Sequence, residues 1–570
     1  MKQILRLLRW RFIIGCVLGV GLTARSAPHS ILDLQTASST QSMVLRGAGG
    51  KQGLLELTNL NPVINSGFLL TVLEPGGSDR QYYHLENSAP ATQHLALKVD
   101  TPGQLIVLAS GLTQSCRLWP GDILALARRS GLPFAPVCGH QLYLRNPVRG
   151  SGTALEASTQ FLRDHVWHGE KIINLVRQHF YQDEFAEYTR PVPSSTLPGN
   201  AVASIGIPAA EVSLTKAALN VEATGLGIDV GVHGGLRQGT WYSASGLDGV
   251  YVSMTQPGAL MERPYRSNGV TLALDDVESS ALSYLVAFDL SLFEVGFALG
   301  TDHPRLEWSA RVPLTQRDAQ LSGPDGIGSA VPLVRPGMVS PALQPRVVAT
   351  FTGGFKREHG AFRYGPLASV QQGSHYGFVE QGIVYSRLVP DLSTLYVLSD
   401  GQVGMKTWSV NDAELKLRVR HARQNGVPLL ERNPAGGVGL PGALVGAWGP
   451  GNWSGSVDEK LRTLRAGACL IEQPSHRYLV YGYFSTATPS AMARVFQAYG
   501  CSYAMHLDMN ALEHTYLALL LRTGQGLQME HLMSGMAQLD PVPGSGQGPR
   551  FLGFPSNRDF FYILKRGVEQ

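Results

Sequence analysis

The side chains best placed for chemistry lie close together near the C-terminal end. Residues 498–515 (AYGCSYAMHLDMNALEHT) pass from a hydrophobic run into His506, Asp508, Asn510, Glu513 and His514. Two carboxylates within a few residues can divide acid and base roles, and neighbouring imidazoles can orient or protonate a leaving group. Asp508, Glu513, His506 and His514 are therefore the candidate catalytic residues, with Asn510 as a substrate-binding candidate. The same oxygen and nitrogen set is of a type that takes a divalent metal, although the spacing specifies no metal site. Alternation along a strand puts His506 and Asp508 on one face.

Other candidates lie upstream. A β-branched strand at 346–351 (RVVATF) runs into Thr352, Gly353, Gly354, Phe355, Lys356 and Arg357. Paired glycines let main chain approach a ligand, and their amides can face an anion. Gly353, Gly354 and Lys356 are thus candidate binding residues, and His375 in GSHYG is a further one.

These residues need elements to hold them. Thr488-Pro489 has the cap and first-turn chemistry of a helix that stops at Gly500, and SYAMHLD follows as a strand. ACLIE and RYLVYGYFS read as strands. GSHYGFVEQGIVYS and LSTLYVLSDGQVGMKTW read as an antiparallel meander with turns at Gln381-Gly382 and Asp400-Gly401. Residues 411–425 read as a helix ended by Gly426. Short strands are expected at 228–232, 249–254 and 270–274, and one or two buried strands in YLVAFDLSLFEVGFALG.

The chain has 570 residues, with 44% hydrophobic, 16% charged, 65 Gly and 34 Pro. Such a length implies two or three domains, and such a composition a turn-rich globular protein. Residues 1–26 carry a basic start, an apolar stretch and Ala24-Arg25-Ser26, the layout of a cleaved export signal. Its apolar stretch is about half of the roughly 20 residues a membrane span needs, so no stable span is expected after cleavage. Five of the 47 basic residues and none of the 43 acidic ones precede Ala27, so cleavage takes the formal charge from +4 to −1. That balance argues against a nucleic-acid partner. Cys116, Cys138, Cys469 and Cys501 then remain, an even number suited to disulfides in a periplasmic or extracellular protein. Three pairings are open, and proximity favours Cys116 with Cys138 and Cys469 with Cys501.

The order of elements divides the chain into a β-rich part at 27–150, a helical segment at 151–190, a linker at 191–200 (PVPSSTLPGN) and a larger domain at 201–570. The fold class expected is α+β: a mixed or antiparallel sheet carrying the site, flanked by helices, preceded by the smaller β-rich domain and the helical segment.

Residues 340–530 resemble the phosphodiester glycosidase domain family. Thr352-Gly353-Gly354-Phe355 stands where that family has Asn-Gly-Gly-Phe after a strand. Arg462-Thr463 or Arg465-Ala466-Gly467 stands before ACLIE, where it has an Arg-Thr segment. His506-Leu507-Asp508 stands where it has Asn-Leu-Asp followed by glycines; here MNALEHT replaces that glycine run. The resemblance implies hydrolysis of a sugar-1-phosphodiester or an envelope polysaccharide. Asp508 and Glu513 would be the acid/base groups, and Arg462 or Arg465 would hold phosphate beside the glycine amides. The loss of the glycine run points to the alternative, a non-catalytic envelope protein that binds a glycan or phosphorylated polymer in a modified cleft.

Overall fold

A computed structural model of the chain describes residues 29–109, 111–152, 207–213, 218–220, 224–229, 235–261, 271–362, 365–370, 373–447, 462–540 and 548–567. The expected signal at 1–26, nearly all of the helical segment at 151–190 and the linker at 191–200 lie outside these residues.

The expected α+β class is wrong: the described chain is predominantly antiparallel sheet, and its helices are short pieces. Residues 411–425 show why. Only Ala413–Leu417 is helical, and Val419–Gln424 is a strand within a five-stranded sheet. Its His421, Arg423 and Gln424 are buried polar residues, so the segment lacks the apolar alternation that marks a strand.

The N-terminal part forms a six-stranded sheet and a three-stranded sheet around a core of its own. Residues 116–149 contain the helix Ile123–Arg129 and the strands Phe134–Val137 and Leu142–Arg145. Arg145 joins this part to the rest of the molecule. It pairs with Glu86 at 2.6 Å and with Glu380 at 2.8 Å, all three side chains being buried. Burial opposes the guanidinium charge, but the two carboxylates hold Arg145 above its usual range.

Three further sheets share one core. The eight-stranded sheet has Thr463–Glu472 between Arg477–Ala487 and Tyr503–Met509. One of its faces contributes Ala468, Leu470, Leu479, Tyr481 and Met505 to that shared core. The other contributes Cys469, Ile471, Val480 and Ala504 to a second core. The helix Pro489–Ala498 covers this second core with Ala491, Met492, Val495 and Phe496, and Thr488 caps it by accepting from the Ala491 amide, as its sequence predicts. Val347–Thr352 lies between Leu517–Thr523 and Phe560–Lys565 in a five-stranded sheet. The other five-stranded sheet contains both expected hairpins, but Val419–Gln424 runs between them, so the order is not a simple meander. Val250–Thr255 is a strand, as are Ser283–Asp289 and Phe293–Ala298, whereas 271–274 is not.

Disulfides join Cys116 to Cys138 and Cys469 to Cys501, the pairing favoured by proximity.

Candidate functional site

Asp508 owes its position to an irregularity in pairing. Arg465 faces Met509 and Gly467 faces His506, so two residues, Leu507 and Asp508, stand opposite Ala466 alone. This bulge interrupts the alternation that would keep His506 and Asp508 on one face. A bulge also frees main-chain groups from the ladder. Asn425 meets them, its Nδ2 donating to the carbonyls of His506 at 2.6 Å and Leu507 at 2.7 Å. The same side chain accepts from the Phe355 amide at 3.0 Å and thereby ties the glycine loop to the strand end.

Asp508 is buried and held on both oxygens. Its Oδ1 accepts from the Met509 amide at 2.8 Å, and its Oδ2 accepts from Arg558 Nη1 at 2.6 Å. The second terminal nitrogen of Arg558 lies 2.6 Å from His514 Nε2. His514 Nδ1 lies 2.7 Å from the Met509 carbonyl, which can only accept, so the proton belongs on Nδ1 and Nε2 accepts from Arg558. Glu513, also buried, approaches His514 Nε2 at 3.3 Å. Thr352 completes this corner by donating from its hydroxyl to the His514 carbonyl at 2.7 Å.

A second carboxylate follows Arg558 directly. Asp559 Oδ2 accepts from Arg423 Nε at 2.8 Å, its Oδ1 lies 3.4 Å from His303 Nε2, and its carbonyl accepts from the Gly353 amide at 2.9 Å. Burial pushes the Asp559 carboxyl up, Arg423 opposes that, and the charge of Asp508 adds to it. Arg423 also donates to the Phe355 carbonyl at 2.9 Å.

Gly353 and Gly354 have a use other than the one expected. A Cβ on Gly353 would lie 2.3 Å from Asp559 Oδ2, and one on Gly354 would lie 2.7 Å from Asn425 Oδ1. The bare main chain therefore admits the protein's own polar side chains.

His506 is fully buried, its Nε2 3.2 Å from Arg465 Nη1 and its ring 4.8 Å from Phe355. Burial, then the guanidinium of Arg465, push it well below the usual imidazole range. Arg465 also donates to the Ala487 carbonyl at 2.8 Å and to Met509 Sδ at 3.2 Å. His375 is buried beside Phe355, with ring centres 6.1 Å apart.

The candidates thus divide. Asp508, Glu513, His506, His514, Gly353, Gly354 and Arg465 come together around the end of Tyr503–Met509, whereas His375 is placed against Phe355 and Gly360. Arg462 does not join them; its guanidinium binds Asp275 at 3.1 Å. Lys356 is turned to Asp302 at 3.0 Å. Asn510 accepts from the Thr463 hydroxyl at 2.9 Å and adopts φ 80°, a left-handed conformation that Asn tolerates better than most residues. A metal fits poorly, because the Arg558 guanidinium occupies the space between Asp508 and His514. Among the described residues no three His, Cys, Asp or Glu side chains form a metal-holding group.

No family model and no curated protein matches the chain. Similar solved structures include three at low scores. The zebrafish N-acetylglucosamine-1-phosphodiester alpha-N-acetylglucosaminidase catalytic domain, auto-inhibited by its pro-peptide, has 10% identity and TM-score 0.26, covering 56% of this chain and 85% of that one. A putative exported protein of Burkholderia pseudomallei has 10% identity and TM-score 0.21, covering 50% and 74%. A hypothetical protein from Synechocystis has 11% identity and TM-score 0.19, covering 92% and 99%. Likeness at this level transfers no activity to this chain.

Four residues of the site escape sequence reading: Arg423, Asn425, Arg558 and Asp559. For the last two a signal exists. An ionisable pair stands directly before the apolar run FFYILK, the mirror of Asp508 directly after one. Arg423 and Asn425 lie in the segment that reads as a helix.

Proposed function

We propose that the chain is an exported hydrolase of sugar-1-phosphodiesters, with an envelope saccharide as its substrate and its chemistry at Asp508. The observation that supports this most is the buried corner itself. A buried carboxylate at a bulged strand end is paired to Arg558, beside a second carboxylate and further buried arginines. The motif order described above supports the same reading, and two disulfides are compatible with export.

In this reading the bond between the anomeric carbon and the phosphate oxygen breaks, and the electron pair leaves with the phosphate. Cationic donors, Arg558 and Arg465, stabilise the departing charge. Asp508 stabilises the positive charge that develops on the sugar carbon. A water oxygen then bonds to that carbon, and a carboxylate, Glu513 or Asp508, takes its proton. His514 and His506 act as positioning residues: each accepts from a guanidinium, and His506 resists protonation.

One observation favours the alternative, a non-catalytic protein that binds a glycan or phosphorylated polymer. Asp559, Arg423 and Asn425 already stand against the glycine main chain where a substrate would lie. Release of free sugar from a panel of sugar-1-phosphodiesters separates the two. Turnover supports the hydrolase; no turnover together with specific binding on a glycan array supports the binding protein.

A further inference from the structure

A small recess lies where the N-terminal part meets the rest of the molecule. Leu34, Leu60, Val379 and Val384 line it together with Lys416 and Leu417. It opens to solvent and holds about 320 Å³ when counted out to its mouth. The two parts are tied together around it. Gln35 Nε2 donates to the Val384 carbonyl at 2.7 Å, and Asn61 Nδ2 donates to the Gly382 carbonyl at 3.2 Å. Lys416 brings a charge to this lining, and among the described residues no carboxylate lines the recess with it.

Lys416 stands near the end of the short helix Ala413–Leu417 and is half-buried. Among the described residues its ammonium makes no ion pair and no side-chain hydrogen bond. The carboxylates close to it in sequence are committed elsewhere or face water. Asp412 holds Lys406 at 2.7 Å, Asp400 holds Arg418 at 2.7 Å, and Glu414 is exposed. Burial, and then the charge of Arg387, push the Lys416 amine below the usual ammonium range. Other lysines are placed differently. Lys356 and Lys406 are held by Asp302 and Asp412, and Lys51 and Lys565 are exposed to water.

The geometry assigns Lys416 as a modification site, an amine that takes a short acyl group from an acyl phosphate. Only a free amine attacks a carbonyl carbon, and an ordinary lysine presents about one in a thousand in that form near neutral pH. An unpaired, partly desolvated lysine beside another cation presents more. In the reaction the Nζ lone pair bonds to the acyl carbon and the bond from that carbon to the phosphate oxygen breaks. Phosphate leaves with the electron pair, and the proton from Nζ goes to water. The apolar lining offers contact to the acyl methyl, and so small a recess suits an acetyl group better than a long chain. The product exchanges a cation for a neutral amide at the joint between the two parts of the molecule. This inference does not depend on the function proposed above.

The test is timed exposure of the full native chain to acetyl phosphate at about pH 7.5, with acetylated lysines measured by peptide mass spectrometry. Lys416 should react at least about threefold faster than Lys51 or Lys565, and its rate should level off at a lower pH than theirs. In the urea-unfolded chain the three should react alike. Lys416→Arg should abolish the fast phase of incorporation and leave the slow phase and the circular dichroism unchanged. The inference is overturned if Lys416 reacts no faster than the two exposed lysines in the native chain, or if its lead persists in urea.

Discussion

Asp508 and Arg558, 50 residues apart in the chain, meet at 2.6 Å in a buried ion pair that links the bulged strand Tyr503–Met509 to the segment leading into Phe560–Lys565. The pair gives the buried Asp508 a cationic partner at hydrogen-bond distance. It also aligns His514 through the other terminal nitrogen of the guanidinium.

Removing Arg558 should therefore be severe. Arg558→Met leaves Asp508 buried and unpaired, and should cost about 3–5 kcal/mol in urea unfolding. Adding Asp508→Asn to that variant should recover part of the loss. Additive effects of the two substitutions would contradict the pairing.

The close approach at the glycines makes a second prediction. Gly354→Ala places a methyl group 2.7 Å from Asn425 Oδ1 and 2.8 Å from Arg423 Cζ, neither of which has room to move in a buried network. A loss of about 1–3 kcal/mol is expected. Asn425→Ala should cost a similar amount by leaving the His506 and Leu507 carbonyls without their donor. Unchanged urea midpoints would contradict both.

Acid should destabilise the fold through its buried histidines. His84, His375, His421 and His506 are all pushed well below the usual imidazole range, burial being the largest cause in each. Above about pH 6.5 the folded and unfolded forms are both neutral at these residues, and their contribution is complete. As pH falls below that value the unfolded chain takes up protons that the folded chain refuses, so stability is lost. Each histidine contributes up to about 1.4 kcal/mol per pH unit. Unfolding free energy measured from pH 7.5 to 5 should fall, and replacing His421 with Gln should make the slope shallower. A flat profile would contradict the burial of neutral rings.

How much of this was legible in the sequence depends on how local the signal is. The Thr488 cap, the strand SYAMHLD and the polar cluster after it are local patterns, and they place Asp508 correctly at a strand end. The fold class was not legible, because Val419–Gln424 carries buried polar residues and so imitates an exposed helix. Nor were the partners. Arg423 and Asp559 are 136 residues apart, and nothing in either segment names the other. The bulge at Leu507–Asp508 depends on cross-strand register, which a strand pattern alone does not fix.

The most direct measurement is the rate of free-sugar release from a sugar-1-phosphodiester by the parent chain and by Asp508→Asn, which keeps the shape and removes the charge. The account predicts measurable turnover by the parent and a loss of at least about a hundredfold in kcat/KM for the variant, with folding confirmed by its unfolding transition. Equal rates in the two proteins, or no turnover by the parent on any such diester, would contradict it.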